Sequence, residues 1–151
     1  MYRKVLVPLD GSELAECALS HVKNLTKGGF VAEVTILNVF CGHIIEVGQG
    51  NGNAGYDDSN ERARDASRKY LADVESRLGS EGIKVKTESM EGYRPAEIIS
   101  YYAQRNGMDL IIIATHGYTG MKKLMFGSVA LEVLHSSHVP VLLIRPESCR
   151  T

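Results

Sequence analysis

DLIIIATHGYTGMKKLMFGS, residues 109–128, is the stretch whose reading decides the fold. Asp109 to Ala114 reads as a strand, apolar at every position from Leu110 onward. A half-buried strand alternates apolar and polar residues, whereas a short run apolar at every position is a strand covered on both faces. That cover comes most simply from helices on each side of a parallel sheet. The second half of the stretch has the opposite character. Gly117, Gly120 and Gly127 leave bare backbone between this strand and an apolar segment that Ser128 opens, with Val129, Leu131, Val133 and Leu134 following. Two readings stay open. The loop is a long strand-to-helix turn with a Ser cap, or it is a cradle for an anion. In the cradle, glycine admits backbone N–H groups close to the ligand, and the start of the helix offers orphan N–H groups and a positive dipole end to phosphate.

Outward from this stretch, strand and helix patterns alternate. Val5 to Leu9 is a short apolar strand, followed by Leu14, Ala18, Val22 and Leu25 at helical spacing with Ser12 as N-cap and Gly28-Gly29 as the stop. Val31 to Phe40 is a second strand. Residues 41–60 contain GQGNGNAGYDDSN, without periodicity, and read as a flexible glycine-rich connection inside one domain. Ala63, Ala66, Tyr70, Val74 and Leu78 mark a helix closed by Gly79, and Ile83 to Ser89 alternates as an edge strand would. Pro95 starts a further helix that ends at Gly107, and Val141 to Ile144 is the last strand. No internal repeat is visible. The pattern predicts a single α/β domain over residues 1–151. Its core is a doubly wound, Rossmann-like, five-stranded parallel sheet with helices on both faces.

Composition narrows the function classes. A formal net charge of −1 gives no basic field for nucleic acid. No apolar run approaches the ~20 residues of a membrane span, and MYRKVLVPLD reads as a strand, not a signal peptide. Cys17, Cys41 and Cys149 are odd in number and widely spaced, which disfavours a disulfide framework or zinc site and points to a reducing cytoplasm.

Doubly wound sheets bind ligands beyond the carboxyl ends of their strands, where the strand order reverses. VPLDGS, at the end of the first strand, therefore pairs with the glycine loop: strands one and four become neighbours there and their loops share one cleft. Asp10 either accepts from ribose hydroxyls or a phosphate-bound cation, or shapes the turn together with Ser12. His116 either contacts phosphate or shapes its loop. No second His makes an HxGH motif, and no GxxxxGK[ST] P-loop is present. Nor does an acidic set like that of phosphoacceptor receivers follow the strands. No metal-ligand spacing links His21, His43, His135 and His138.

VLVPLDGS, GYRPAEII, ATHGYTG…GSVA and VPVLLIR resemble, in order and spacing, the universal stress protein family. The resemblance covers nearly the whole chain apart from residues 41–60. ATP-binding members carry G-x2-G-x9-G-[ST]; Gly117, nine residues and Gly127-Ser128 match its later part, while Ala114 stands where the first glycine belongs. Alanine is the smallest departure and tightens the pocket. The resemblance implies a nucleotide (ATP, ADP or AMP), with Mg or Mn on its phosphates, and adenine near Val39 and Ile113. Pro8, Leu9 and Asp10 would flank adenine and ribose. The phosphates would lie on Ala114, His116, Gly117, Thr119, Gly120, Gly127, Ser128 and Val129. It further implies a cytoplasmic homodimer through the C-terminal strand, and a stress-response module whose nucleotide biases conformation or choice of protein partner. With no base–nucleophile pair evident in the sequence, binding leads over two alternatives: a slow ATP hydrolase or phosphotransfer enzyme, and a nucleotide-free dimeric interaction protein.

Overall fold

The computed structural model describes residues 1–42, 56–116 and 127–146. Its strands are β1 (Tyr2–Pro8), β2 (Val31–Phe40), β3 (Lys86–Glu91), β4 (Leu110–Ala114) and β5 (Val141–Ile144). Its helices are α1 (Glu13–Glu16), α2 (Ala18–Lys27), α3 (Tyr56–Ser80), α4 (Pro95–Arg105) and α5 (Ser128–Ser136). All strands pair in parallel, in the order β3-β2-β1-β4-β5. The order reverses between β1 and β4, so the carboxyl ends of these two neighbouring strands lie at the switch point.

Strand geometry explains the two-sided core, because successive side chains leave a strand on opposite faces. Val5, Val7 and Leu9 join Leu19 and Val22 of α2 and Val74 and Leu78 of α3. Leu6, between them, joins Ile99 and Ala103 of α4 and Ala130 and Val133 of α5. β4 divides in the same way, Leu110 and Ile112 to the first cluster, Ile111 and Ile113 to the second. Each such side chain contributes roughly 1.5–3 kcal/mol by leaving water, which is why LIIIA reads as apolar throughout.

Several boundaries differ from the sequence expectation; β1, for one, runs from Tyr2 to Pro8 and not from Val5 to Leu9. The first helix is interrupted at Cys17, whose N–H turns back to the carbonyls of Leu14 and Ala15; nothing in the structure explains why the break falls there. α3 begins at Tyr56, inside the stretch assigned to the connection. The third strand starts at Lys86, not Ile83. Ile83 is buried and its N–H donates to Leu78 O at 3.0 Å, so it closes the end of α3. An apolar residue just past a helix that folds back on the last turn is a common helix stop, and here it mimics the first residue of a strand.

At the amino end of the sheet the β1–β4 ladder spans only Val5↔Leu110 and Leu6↔Ile111. Asp109 extends it with its side chain: Oδ2 accepts from Arg3 N at 2.8 Å and Lys4 N at 2.9 Å, while its own N–H donates to Lys4 O at 2.8 Å. The bonds from Lys4 and then Arg3 hold the Asp109 carboxyl below its ordinary pKa. Beside the sheet, Arg77 of α3 grips both Glu16 oxygens at 2.9 Å and Tyr70 donates to Glu16 Oε1 at 2.8 Å, tying α1 to α3. The Arg77 hydrogen bond, opposed by burial, keeps the Glu16 carboxyl below its usual range.

Candidate functional site

At the carboxyl end of the sheet, a cavity of about 220 Å3 opens between residues 8–10 at the end of β1 and residues 113–116 and 127–130 from β4 and α5. Its first wall is the β1 lip. Pro8 ends the strand, Leu9 N still donates to Leu37 O at 2.9 Å, and the Leu9 carbonyl accepts Asn38 Nδ2 at 2.8 Å. Asp10 follows at the exposed rim. Its Oδ1 accepts from both the N–H (2.9 Å) and the hydroxyl (2.6 Å) of Ser12. Ser12 Oγ in turn accepts from Ala15 N at 3.1 Å and caps α1. Gly11 between them has φ 89°, a conformation an L side chain rarely adopts, so the turn calls for glycine at that position. Asp10 therefore has a turn-shaping role, and it also lines the cavity.

The second wall comes from β4 and α5. Thr115 and His116 leave the strand, Thr115 N donating to Ile144 O at 2.8 Å. Gly127 returns against them, its N–H on Thr115 O at 2.5 Å. A Cβ on Gly127 would stand 2.9 Å from that same carbonyl oxygen, closer than side-chain carbons approach backbone. Glycine is thus demanded here by protein packing alone. Gly127, not Ser128, is the N-cap of α5, and it supplies no side-chain bond to the helix N–H groups. Ser128, Val129 and Ala130 all border the cavity with the first turn, whose N–H groups have no partner within a helix. No acidic residue lies in that turn to neutralise its positive end.

His116 is buried. Its Nδ1 lies 2.8 Å from Thr115 Oγ1, while Nε2 is enclosed and without a hydrogen-bond partner. An enclosed polar atom of this kind costs about 1–3 kcal/mol if left unpaired, and such exceptions tend to mark functional positions. Apolar side chains complete the cavity. Val39 and Leu37 enter from β2, Ile113 and Ala114 from β4, Pro95 from α4 and Ala15 from α1. Among the described residues that line it, Asp10 is the one carboxylate and no lysine or arginine is present. No group of three or more His, Cys, Asp or Glu among the described residues could hold a metal ion.

The universal stress protein family model matches residues 1–145. The chain belongs to the universal stress protein family. A universal stress protein of Methanocaldococcus jannaschii, MJ0531, is 30% identical over 148 residues, covering 96% of this chain and 83% of that one. A second from the same organism, MJ0577, is 32% identical over 158 residues, with 96% of each chain covered. The solved structure of MJ0577 superposes with a TM-score of 0.80 over 97% of this chain and 98% of that chain. A family member from Arabidopsis thaliana, solved with AMP bound, shares the fold at a TM-score of 0.68 and 14% identity, over 97% of this chain and 93% of that one.

Within this family fold, Pro8, Leu9, Asp10, Val39, Ile113, Ala114, His116, Gly127, Ser128 and Val129 all border the same cavity. Gly117, Thr119 and Gly120, with Lys122 and Lys123, lie outside the described residues. Sequence reasoning does not single out Thr115 and Asn38, both buried polar residues. Each is visible as a polar residue beside or within an apolar strand, Asn38 as the one amide in VTILNVF and Thr115 directly after LIIIA. Among the described residues no helix is long and apolar enough to cross a membrane.

Proposed function

We propose that the chain is an adenine-nucleotide-binding universal stress protein, a cytoplasmic regulatory module whose bound ATP or AMP biases conformation or partner choice. The observation that carries this reading is the unpartnered Nε2 of buried His116, beside the uncapped start of α5. An anion at that point would take the Nε2 bond and the first-turn N–H groups together. The apolar walls from Val39 and Ile113 suit a base, and the choice of adenine follows the family, in which the Arabidopsis protein was solved with AMP bound. On this reading Pro8 and Leu9 flank the base and Asp10 receives the ribose. Gly127, Ser128, Val129 and His116 hold the phosphates, with Gly117, Thr119 and Gly120 completing the cradle. A magnesium or manganese ion arriving with the phosphates would find Asp10 as the one carboxylate among the described lining residues. Denaturing the purified protein and identifying the released small molecules by mass spectrometry tests the proposal. Adenine nucleotide near one per chain is expected. Ligand-free protein that also fails to bind added ATP or AMP would overturn it.

One observation favours a second reading, phosphoryl transfer or slow hydrolysis. Thr115 Oγ1 and His116 Nδ1, 2.8 Å apart, are a hydroxyl–imidazole pair at the cleft. A nucleophile held by a base has this separation. The same pair equally fixes the ring so that Nε2 stays available to a ligand, and no carboxylate among the described contacts orients the imidazole. Release of phosphate from ATP by wild type but not by Thr115→Val would favour the enzyme.

The assembly on this reading is a homodimer through β5. That strand is a sheet edge, with Leu142 exposed at 38% and Leu131 and Leu134 of α5 at 41% and 44%. An apolar edge with open backbone groups invites a partner strand, and a two-fold copy would cover it isologously.

A further inference from the structure

We propose that Asn38 is a positioning residue for the cleft, holding the β1 lip in place from behind without itself reaching the ligand. The inference rests on the nucleotide reading above. Asn38 lies on β2, buried, and both ends of its amide are engaged. The Leu9 carbonyl can only accept, so the amide nitrogen faces it, at 2.8 Å. The amide oxygen then accepts from Ser67 Oγ of α3 at 2.6 Å, and Ser67 Oγ also lies 2.6 Å from Ser89 Oγ of β3.

Leu9 is the residue at which β1 has ended and the lip begins. Its N–H is held by Leu37 O and its carbonyl by Asn38, so both bonds come from β2 and together fix the peptide planes on either side of Leu9. Asp10 and Ser12 are then locked to one another by the turn. Asn38 is thus the side chain that connects the geometry of the lip to the sheet and, through Ser67, to α3. A side-chain hydrogen bond in such a buried network is strengthened by the low local dielectric, and a ligand site gains affinity when its contacts are ordered before binding.

Removing Asn38 frees the Leu9 carbonyl, whereas removing Ser67 leaves the Asn38–Leu9 bond in place. The two variants separate positioning from mere structural support, since each deletes a buried bond. Titration with a fluorescent ATP analogue should show Asn38→Leu binding about tenfold more weakly and Ser67→Ala within about twofold of wild type, although both melt at lower temperature. Amide hydrogen exchange of the ligand-free proteins should be faster at Leu9 and Ser12 in Asn38→Leu than in Ser67→Ala. If Asn38→Leu does not fold, Asn38→Ala takes its place in both measurements. Equal affinity losses in the two variants, following their losses of melting temperature, would overturn the proposal, as would unchanged affinity in the Asn38 variant. If the wild-type protein binds no adenine nucleotide, the functional reading fails separately. Exchange alone then decides: faster exchange confined to the Asn38 variant supports the clamp, and equal exchange in the two variants rejects it.

Discussion

At the amino end of the sheet the gap between β1 and β4 is closed by a side chain, the Asp109 carboxylate accepting two β1 amides. At the carboxyl end the same two strands leave a cavity of about 220 Å3, lined in part by His116, whose buried Nε2 has no hydrogen-bond partner among the described residues. The strands are shared, so the difference lies in the segments attached to their two ends. One end satisfies its polar groups within the chain, and its substitutions should register as stability. The other holds bonds in reserve, and its substitutions should register as affinity. Sites that break the local rules of satisfaction are where function is expected.

The largest effect should come from Gly127→Ala. A Cβ there meets the Thr115 carbonyl at 2.9 Å, so the backbone of the cradle must move. Nucleotide affinity, measured by calorimetry, is expected to fall by about 100-fold or more, equivalent to roughly 2.7 kcal/mol, with a lower melting temperature. Affinity within threefold of wild type would mean that the reserve lies elsewhere. His116→Ala is expected to weaken binding by about tenfold, the loss of one hydrogen bond to a charged group. Unaltered binding by this variant would break the comparison at its centre, because the unpartnered atom would then have no ligand to meet.

Asp109→Ala should do the opposite, lowering the melting temperature by roughly 3 °C and leaving affinity unchanged. A pH series sharpens this. The Asp109 pKa is held below its ordinary value in the folded chain. Its stabilisation is therefore fully present above the unfolded carboxyl pKa near ~4 and is lost as pH falls through the lower folded value. The gap in melting temperature between wild type and Asp109→Ala should close as pH drops below ~4. A gap that stays constant down to pH ~2 would contradict the role given to the carboxylate. Leu142→Lys on the β5 edge should touch neither end. Light scattering is expected to report half the wild-type mass, with affinity per chain unchanged; a wild-type protein that is already a monomer at micromolar concentration would remove the dimer from the proposal.

The alternation of strand and helix, the parallel sheet and the adjacency of the first and fourth strands were legible because burial on both faces leaves uninterrupted apolar runs. The Asp10–Gly11–Ser12 turn was legible because its chemistry is local. Ile83 misled, since an apolar residue closing a helix and one opening a strand look alike until the chain direction is known. Asn38 and Ser67 could not be paired from the sequence: they are 29 residues apart and meet only once α3 is laid on β2. His116 was visible as a histidine, but the enclosure that leaves Nε2 without a partner is a property of the packed cleft.

Arg3 and Asp109, which clamp the amino end, are 106 residues apart in the chain. Leu9 and Asn38, on the other side of β1, are separated by only 29. Closing the longer loop costs about 4 kcal/mol of chain entropy against about 3 kcal/mol for the shorter, so β1 is expected to pair with β2 before β4. During synthesis, at about 5–20 residues per second, β4 emerges some 5–20 s after β1. For that interval the strand destined for the middle of the sheet has an apolar edge open to other chains, and a ribosome-bound nascent chain ending before Asp109 should be a chaperone client that the finished protein is not.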